Sequence, residues 1–269
     1  MTRILEVIER LQDRPFRTNF VLLGEPGTGK EGLARALAHL ACPGGPLVRY
    51  DVAGFPEDEA LAALCGTGRR PGLAEAADGG TLLVEEVAGL GPRVQATLLR
   101  LLKTGRCDRF GTVAFDNGEP GAGSAGGAGK GKRLDVSVVA MSDKPLPDEV
   151  AAGRFRHDLY YRLARVVLWL PPLRERIDDL GPAAIWMGNR ILRAAGLAAE
   201  LITPDELRRV TPEERARAIV LDPAAVRALE AHTWPGNFRE LETVLERALL
   251  LYRKGNRLGP DEVAAALGP

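Results

Sequence analysis

Residues 24–31 read Gly-Glu-Pro-Gly-Thr-Gly-Lys-Glu and follow the apolar run Phe20-Val21-Leu22-Leu23. A glycine-rich turn between a strand and a helix, ending in lysine, suits phosphate chemistry. The glycines let successive backbone N–H groups converge on one anion. The helix that starts there turns its positive end to the same anion. Gly24, Glu25, Pro26, Gly27, Thr28, Gly29 and Lys30 are therefore the candidate cradle, with Lys30 as the point charge for the β- and γ-phosphates. Glu31 stands where a serine or threonine ligand for Mg2+ usually follows the lysine. About fifty residues on, Asp78-Gly79-Gly80 signals a turn, Thr81-Leu82-Leu83-Val84 a buried strand, and Glu85-Glu86 its end. Ligands of open α/β sheets sit at the carboxyl ends of strands. Glu85 is assigned to hold Mg2+ through its waters, and Glu86 to polarise an attacking water. A plain glycine turn and a merely solvated strand end are the alternatives at these two places.

The elements that must position these groups follow from periodicity. Apolar Ile4, Leu5, Ile8 and Leu11 predict a helix over 2–13. Strand and helix signals then alternate over 21–23, 31–40, 47–52, 57–64, 81–87, 92–102 and 135–141. That alternation predicts an α/β fold, a parallel sheet flanked by helices. The Gly/Ala/Ser tract at 117–132 is low in complexity and is expected to be a mobile loop. Pro171-Pro172 breaks the pattern, and beyond it the reading is helical throughout. The clearest helix is expected over 238–253, with Leu241, Val244, Leu245, Ala248, Leu249 and Tyr252 on one face, Asn237 as N-cap and Glu240 at the capping-box position. The expected domains are 1–172, α/β, and 173–269, a small helical unit.

The 269 residues hold 36 basic and 36 acidic side chains, so no global charge draws the chain to nucleic acid or membrane. Cys42, Cys65 and Cys107 are widely spaced and show neither a CxxC pair nor a zinc spacing, which suggests a reduced compartment. No apolar run approaches the ~20 residues of a membrane span, and the N-terminus has no secretory pattern. A cytoplasmic protein is expected.

Further segments carry a resemblance. The loop at 24–31, with Glu after the lysine, resembles that of the AAA+ domain of bacterial enhancer-binding proteins, the sigma-54-dependent activators. Ala77-Asp78-Gly79-Gly80-Thr81-Leu82 is similar to the stretch before that family's Walker B strand. Residues 153–163 resemble its arginine-finger segment, 170–176 its domain junction, and 234–242 its sensor II helix. The resemblance implies an AAA+ P-loop fold with a C-terminal helical lid, and ATP and Mg2+ as cofactors. It implies trans-acting fingers at Arg156 and Arg162, which would stabilise charge on a neighbouring subunit's γ-phosphate. A surface ion pair beside Asp158 is the alternative for them. It implies Asp143 as a sensor I residue, Arg239 as the sensor II arginine, and a ring, usually a hexamer. Glu85 then stands where the family has Asp, Asp51 where it has Asn, and Asp143 where it has Asn. Extra carboxylates near a triphosphate repel it unless they are protonated or paired, so fast hydrolysis does not follow.

The family's GAFTGA loop, its contact for sigma-54, has no counterpart between Gly66 and Leu73. The expected function is an ATPase coupled to a partner protein, plausible in transcription, though not by the standard sigma-54 contact. A nucleotide-gated scaffold with little turnover is the alternative. A nucleic-acid motor using Arg69, Arg70, Lys130, Lys132 and Arg133 lacks aromatic residues for base stacking. The insertion 201–219 carries two helix starts, Thr203-Pro204 and Thr211-Pro212, as an extra surface pair or a docking site. The chain ends where the family continues to a DNA-reading domain, so direct DNA binding by this chain is not expected.

Overall fold

The computed structural model describes residues 2–13, 17–51, 54–68, 70–108 and 133–268. The tract at 117–132, with Lys130 and Lys132, and Arg69 lie outside the described residues. The chain divides into two compact units: Met1–Gly24 with Gly29–Leu170, and Glu25–Thr28 with Pro171–Pro269.

In the first unit, α1 (Thr2–Asp13) precedes β1 (Phe20–Leu23), α2 (Lys30–Ala41) and β2 (Leu47–Asp51). Then come α3 (Glu57–Cys65), the short strands β3 (Gly66–Thr67) and β4 (Arg70–Pro71), α4 (Leu73–Ala76) and β5 (Thr81–Glu85). The rest is α5 (Pro92–Thr104), β6 (Ser137–Ser142), α6 (Leu146–Ala151), α7 (His157–Leu163) and β7 (Val166–Trp169). Five strands form a parallel sheet in the order β2-β5-β6-β1-β7. Residues of β1, β5 and β6 are almost all buried, because a parallel sheet is covered on both faces and its inner strands read as unbroken apolar runs. The two edge strands tolerate polar residues, and β2 carries Arg49 and Asp51 exposed on one side.

The predicted elements of this unit form with shifts of a few residues at their ends. The fold adds one covalent link that cysteine spacing did not reveal. Helices α3 and α5 share an apolar cluster with Leu61, Leu64, Leu98 and Leu101. Their packing brings Cys65 and Cys107 into a disulfide, with Cα atoms 5.5 Å apart. Cys42 is a free, buried thiol. Cysteine spacing alone gave no sign of the Cys65–Cys107 pairing, whose partners lie 42 positions apart and which argues against the reduced-compartment reading.

The second unit holds α8 (Leu180–Ala194), β8 (Glu200–Ile202), α9 (Pro204–Leu207), α10 (Pro212–Arg217), β9 (Ala218–Leu221), α11 (Pro223–Glu230), α12 (Asn237–Arg247), β10 (Arg257–Leu258) and α13 (Pro260–Leu267). It is mainly helical, but not throughout: β10, β9 and β8 form a small parallel sheet. Strands of two to four residues are too short to show a period. Both helix starts of the insertion form as capping boxes, Thr203 with Glu206 and Thr211 with Glu214. After Arg247 the helix continues as a π turn, Ala248–Tyr252, and Tyr252 is left exposed. The π turn rotates the register, so a strict 3.6-residue stripe fails there.

Candidate functional site

Along the carboxyl edge of the first unit's sheet, four strand ends meet. Leu23 pairs with Ser142, and Asp51 pairs with Glu85. Gly24 donates its N–H to Ser142 O at 3.3 Å, which fixes the start of the glycine loop to the end of β6. Gly29 caps α2 with φ 96°, a conformation that glycine adopts without steric cost. Lys30 opens α2 and donates from Nζ to Gly24 O at 2.6 Å.

Glu86 leaves β5 in the left-handed region, φ 45°. A bulky non-glycine residue in this region is uncommon and clusters at functional sites. Burial pushes its carboxyl up from the ordinary value, and a hydrogen bond to Asp143 and the charge of Asp143 add to the rise; the Lys30 charge opposes them. The sequence-predicted Lys30, Glu86 and Asp143 are thus brought together. A carboxyl held above its usual range beside a cation is what a water-activating base requires.

Glu85 is met by Arg49, whose Nη2 donates to Oε2 at 3.0 Å while Nε makes an ion pair with Oε1. Oε1 is buried and has no hydrogen-bond partner of good geometry among the described residues. Arg49 also lies 3.9 Å from both Glu31 and Asp51. Among the described residues no group of three or more His, Cys, Asp or Glu side chains could hold a metal by itself. Mg2+ in nucleotide sites takes one or two carboxylates and completes its shell with phosphate and water. Glu85, a carboxylate at a strand end whose Oε1 lacks a well-formed hydrogen bond, fits that donor set.

The remaining cradle residues, Glu25–Thr28, pack within the second unit. Arg174 donates to both carboxylate oxygens of Glu25, at 2.6 and 2.9 Å, and Asn237 Nδ2 donates to Glu25 Oε2 at 3.2 Å. These bonds, Arg174 first, pull the Glu25 pKa down to about 2. Asn237 is fully buried; its Nδ2 also donates to Pro26 O at 3.0 Å, and its Oδ1 accepts from Leu173 N at 2.7 Å. The expected N-cap role is therefore corrected: Gly236 is the N-cap, and the Asn237 side chain braces the loop instead. Glu240 does reach back, accepting from Gly236 N at 2.8 Å. Gly27 has φ 78°, and an added Cβ would meet Gly236 O at 2.3 Å. Phe238 N–H donates to Gly27 O at 2.9 Å, which leaves the predicted Arg239 exposed at the next position.

Arg156 lies at the start of α7 and pairs with Asp158 at 3.0 and 3.1 Å. Its segment is held by Gln95, a buried amide that accepts from Arg156 N–H at 2.9 Å and donates to Arg154 O at 2.9 Å. Arg162 is half-buried, and its Nε has no hydrogen-bond partner among the described residues.

Sequence reasoning missed three residues here. Arg49 shares the side of β2 with Asp51, two positions on, and that period was the available signal. Arg174 and Arg176 were noted only as part of a junction. Arg176 donates to Thr28 O at 2.7 Å and stacks 4.7 Å over Phe238. Burial lowers its guanidinium below the ordinary value.

The model of the sigma-54 interaction domain matches residues 1–117 and 123–169, and that of an AAA+ ATPase lid domain matches 199–268. The chain is 34% identical to the Nif-specific regulatory protein of Azotobacter vinelandii over 266 residues, 95% of this chain and 44% of that protein. It is 37% identical to the anaerobic nitric oxide reductase transcription regulator NorR of Salmonella paratyphi C over 256 residues, 91% of this chain and 43% of that one. It is also similar to NtrX from Brucella abortus, solved in complex with ADP. There the TM-score is 0.77 at 26% identity, covering 99% of this chain and 53% of NtrX. The chain spans about half the length of these relatives.

Proposed function

This chain belongs to the sigma-54 interaction domain family, and we propose that it is the AAA+ ATPase module of a cytoplasmic transcription regulator. It binds ATP and works as a ring, by family resemblance a hexamer. The observation that carries this reading is the meeting of Lys30, Glu86 and Asp143 at the sheet edge. Lys30 holds the β- and γ-phosphates. Glu86 orients and deprotonates the attacking water, and Asp143 holds the carboxyl of Glu86. Mg2+, held by Glu85, would supply charge neutralisation on the phosphates. Arg156 and Arg162 act on a neighbouring subunit's nucleotide, and Arg239 contacts the nucleotide from the second unit. The partner is a protein of the transcription machinery. Only the short hairpin β3–β4 lies between α3 and α4, so the standard sigma-54 contact is not part of this proposal.

A second reading, a nucleotide-gated scaffold with little turnover, is favoured by the Arg49–Glu85 pair. Steady-state ATP hydrolysis against protein concentration separates the two. Under the leading reading, turnover per chain rises with concentration. Mixing Arg156→Ala with Glu86→Gln chains restores activity, because some interfaces combine an intact finger with an intact base. Nucleotide binding without hydrolysis at any concentration selects the scaffold, and absence of nucleotide binding removes both.

A further inference from the structure

Three carboxylates in the first unit crowd the place where a triphosphate would bring more negative charge. Glu85 ends β5, Asp51 pairs with it in register from the edge strand, and Glu31 stands in the first turn of α2. Asp51 and Glu85 are two of the positions at which this chain's acids depart from the family pattern. One guanidinium reaches all three, while Arg35 also pairs with Glu31 at 2.7 Å. Arg49 engages both oxygens of Glu85 and comes within 3.9 Å of Asp51 and of Glu31. Its strand makes this possible: Arg49 and Asp51 are two residues apart and project to the same side of β2.

We propose that Arg49 is a built-in counter-cation of the nucleotide site, offsetting part of the negative charge of Glu85 and Asp51 without metal and yielding Glu85 to a divalent ion when the metal–nucleotide complex binds. The inference rests on the reading of Glu85 as the metal-holding acid. Glu85 cannot offer the same oxygens to a bidentate guanidinium and to an ion at once. Arg49 is thus a positioning residue whose removal has opposite effects on two ligands. Free divalent ions gain a more negative site with no competitor. Nucleotide without metal meets a site more negative by one unit charge. One unit charge acting across about 10 Å at an effective dielectric near 20 is worth roughly tenfold in affinity.

The test is titration of a fluorescent ATP analogue into wild type, Arg49→Ala, Arg49→Lys and Arg49→Ala/Asp51→Asn, in EDTA and in excess Mg2+. Mn2+ binding without nucleotide, followed by electron paramagnetic resonance, is the second arm. The expected result is a roughly tenfold loss for Arg49→Ala in EDTA, with less than about a threefold change in Mg2+. Arg49→Lys stays near wild type in EDTA, the added Asp51→Asn recovers most of the loss, and Arg49→Ala binds Mn2+ more tightly than wild type. Equal losses in EDTA and Mg2+ with no recovery by Asp51→Asn would show a merely structural arginine and overturn the proposal. Should wild type bind no nucleotide in either condition, the ATP reading fails. The Mn2+ arm still decides the role of Arg49, and unchanged or weaker Mn2+ binding in Arg49→Ala overturns it.

Discussion

Glu25, in the glycine loop, meets the forked guanidinium of Arg174 and the amide of Asn237, and its pKa falls to about 2. Glu86, just past the end of β5, is half-buried beside a second acid, and its pKa rises. Both belong to the proposed nucleotide site. One carboxylate is a fixed charge that ties a loop to its support. The other is pushed toward its neutral form by burial and by Asp143. The difference teaches that glutamate in this chain is not one chemical object, because its neighbours decide its task. The pH dependence follows with opposite signs. Glu25 contributes stability that is present above the ordinary 4.5 and is lost as pH falls through about 2. The Glu86 pair contributes stability below 4.5, which is lost as pH rises through its raised value.

The comparison breaks most visibly if the base is removed. Glu86→Gln is expected to cut ATP turnover by roughly 10²–10⁴-fold while leaving nucleotide affinity within a few-fold, as loss of a general base does. Parallel turnover and binding measurements check this, and an equal loss in both would make Glu86 a structural residue. Next in size is the covalent support of the first unit. Cys65→Ser should lower its unfolding free energy by about 2–4 kcal/mol, read by denaturant unfolding of oxidised protein. The variant and dithiol-reduced wild type should then coincide.

Asp143→Asn sharpens the comparison more finely. Removing the charge beside Glu86 should move the acid limb of the pH–rate profile to lower pH. A limb that stays in place would mean that burial alone sets it. The smallest effect is expected at the other carboxylate. Arg174→Ala should let the Glu25 pKa climb from about 2 toward 4.5, followed by carbon-detected NMR titration of the Glu25 side chain. Little change in overall stability should accompany it, because the pair is exposed.

Much of this arrangement was legible in the sequence. The glycine loop, Lys30 and the strand-end acids could be read because their backbone demands are strict and local. The parallel sheet could be read because its inner strands are continuous apolar runs. What escaped depends on contacts between residues far apart in sequence. The Cys65–Cys107 bond needs two packed helices, and the role of Asn237 as a brace needs a carboxylate 212 positions away. The three strands of the second unit were hidden by their shortness. Arg49 was hidden because an exposed arginine on an edge strand reads as solvation until its register with Glu85 is known.

The central claim is that this chain binds ATP through the loop that ends in Lys30. Equilibrium titration of a fluorescent ATP analogue into wild type and Lys30→Ala tests it most directly. Saturable binding by wild type and none detectable for Lys30→Ala at the same concentrations are expected. Near-wild-type affinity in the Lys30→Ala protein would contradict it.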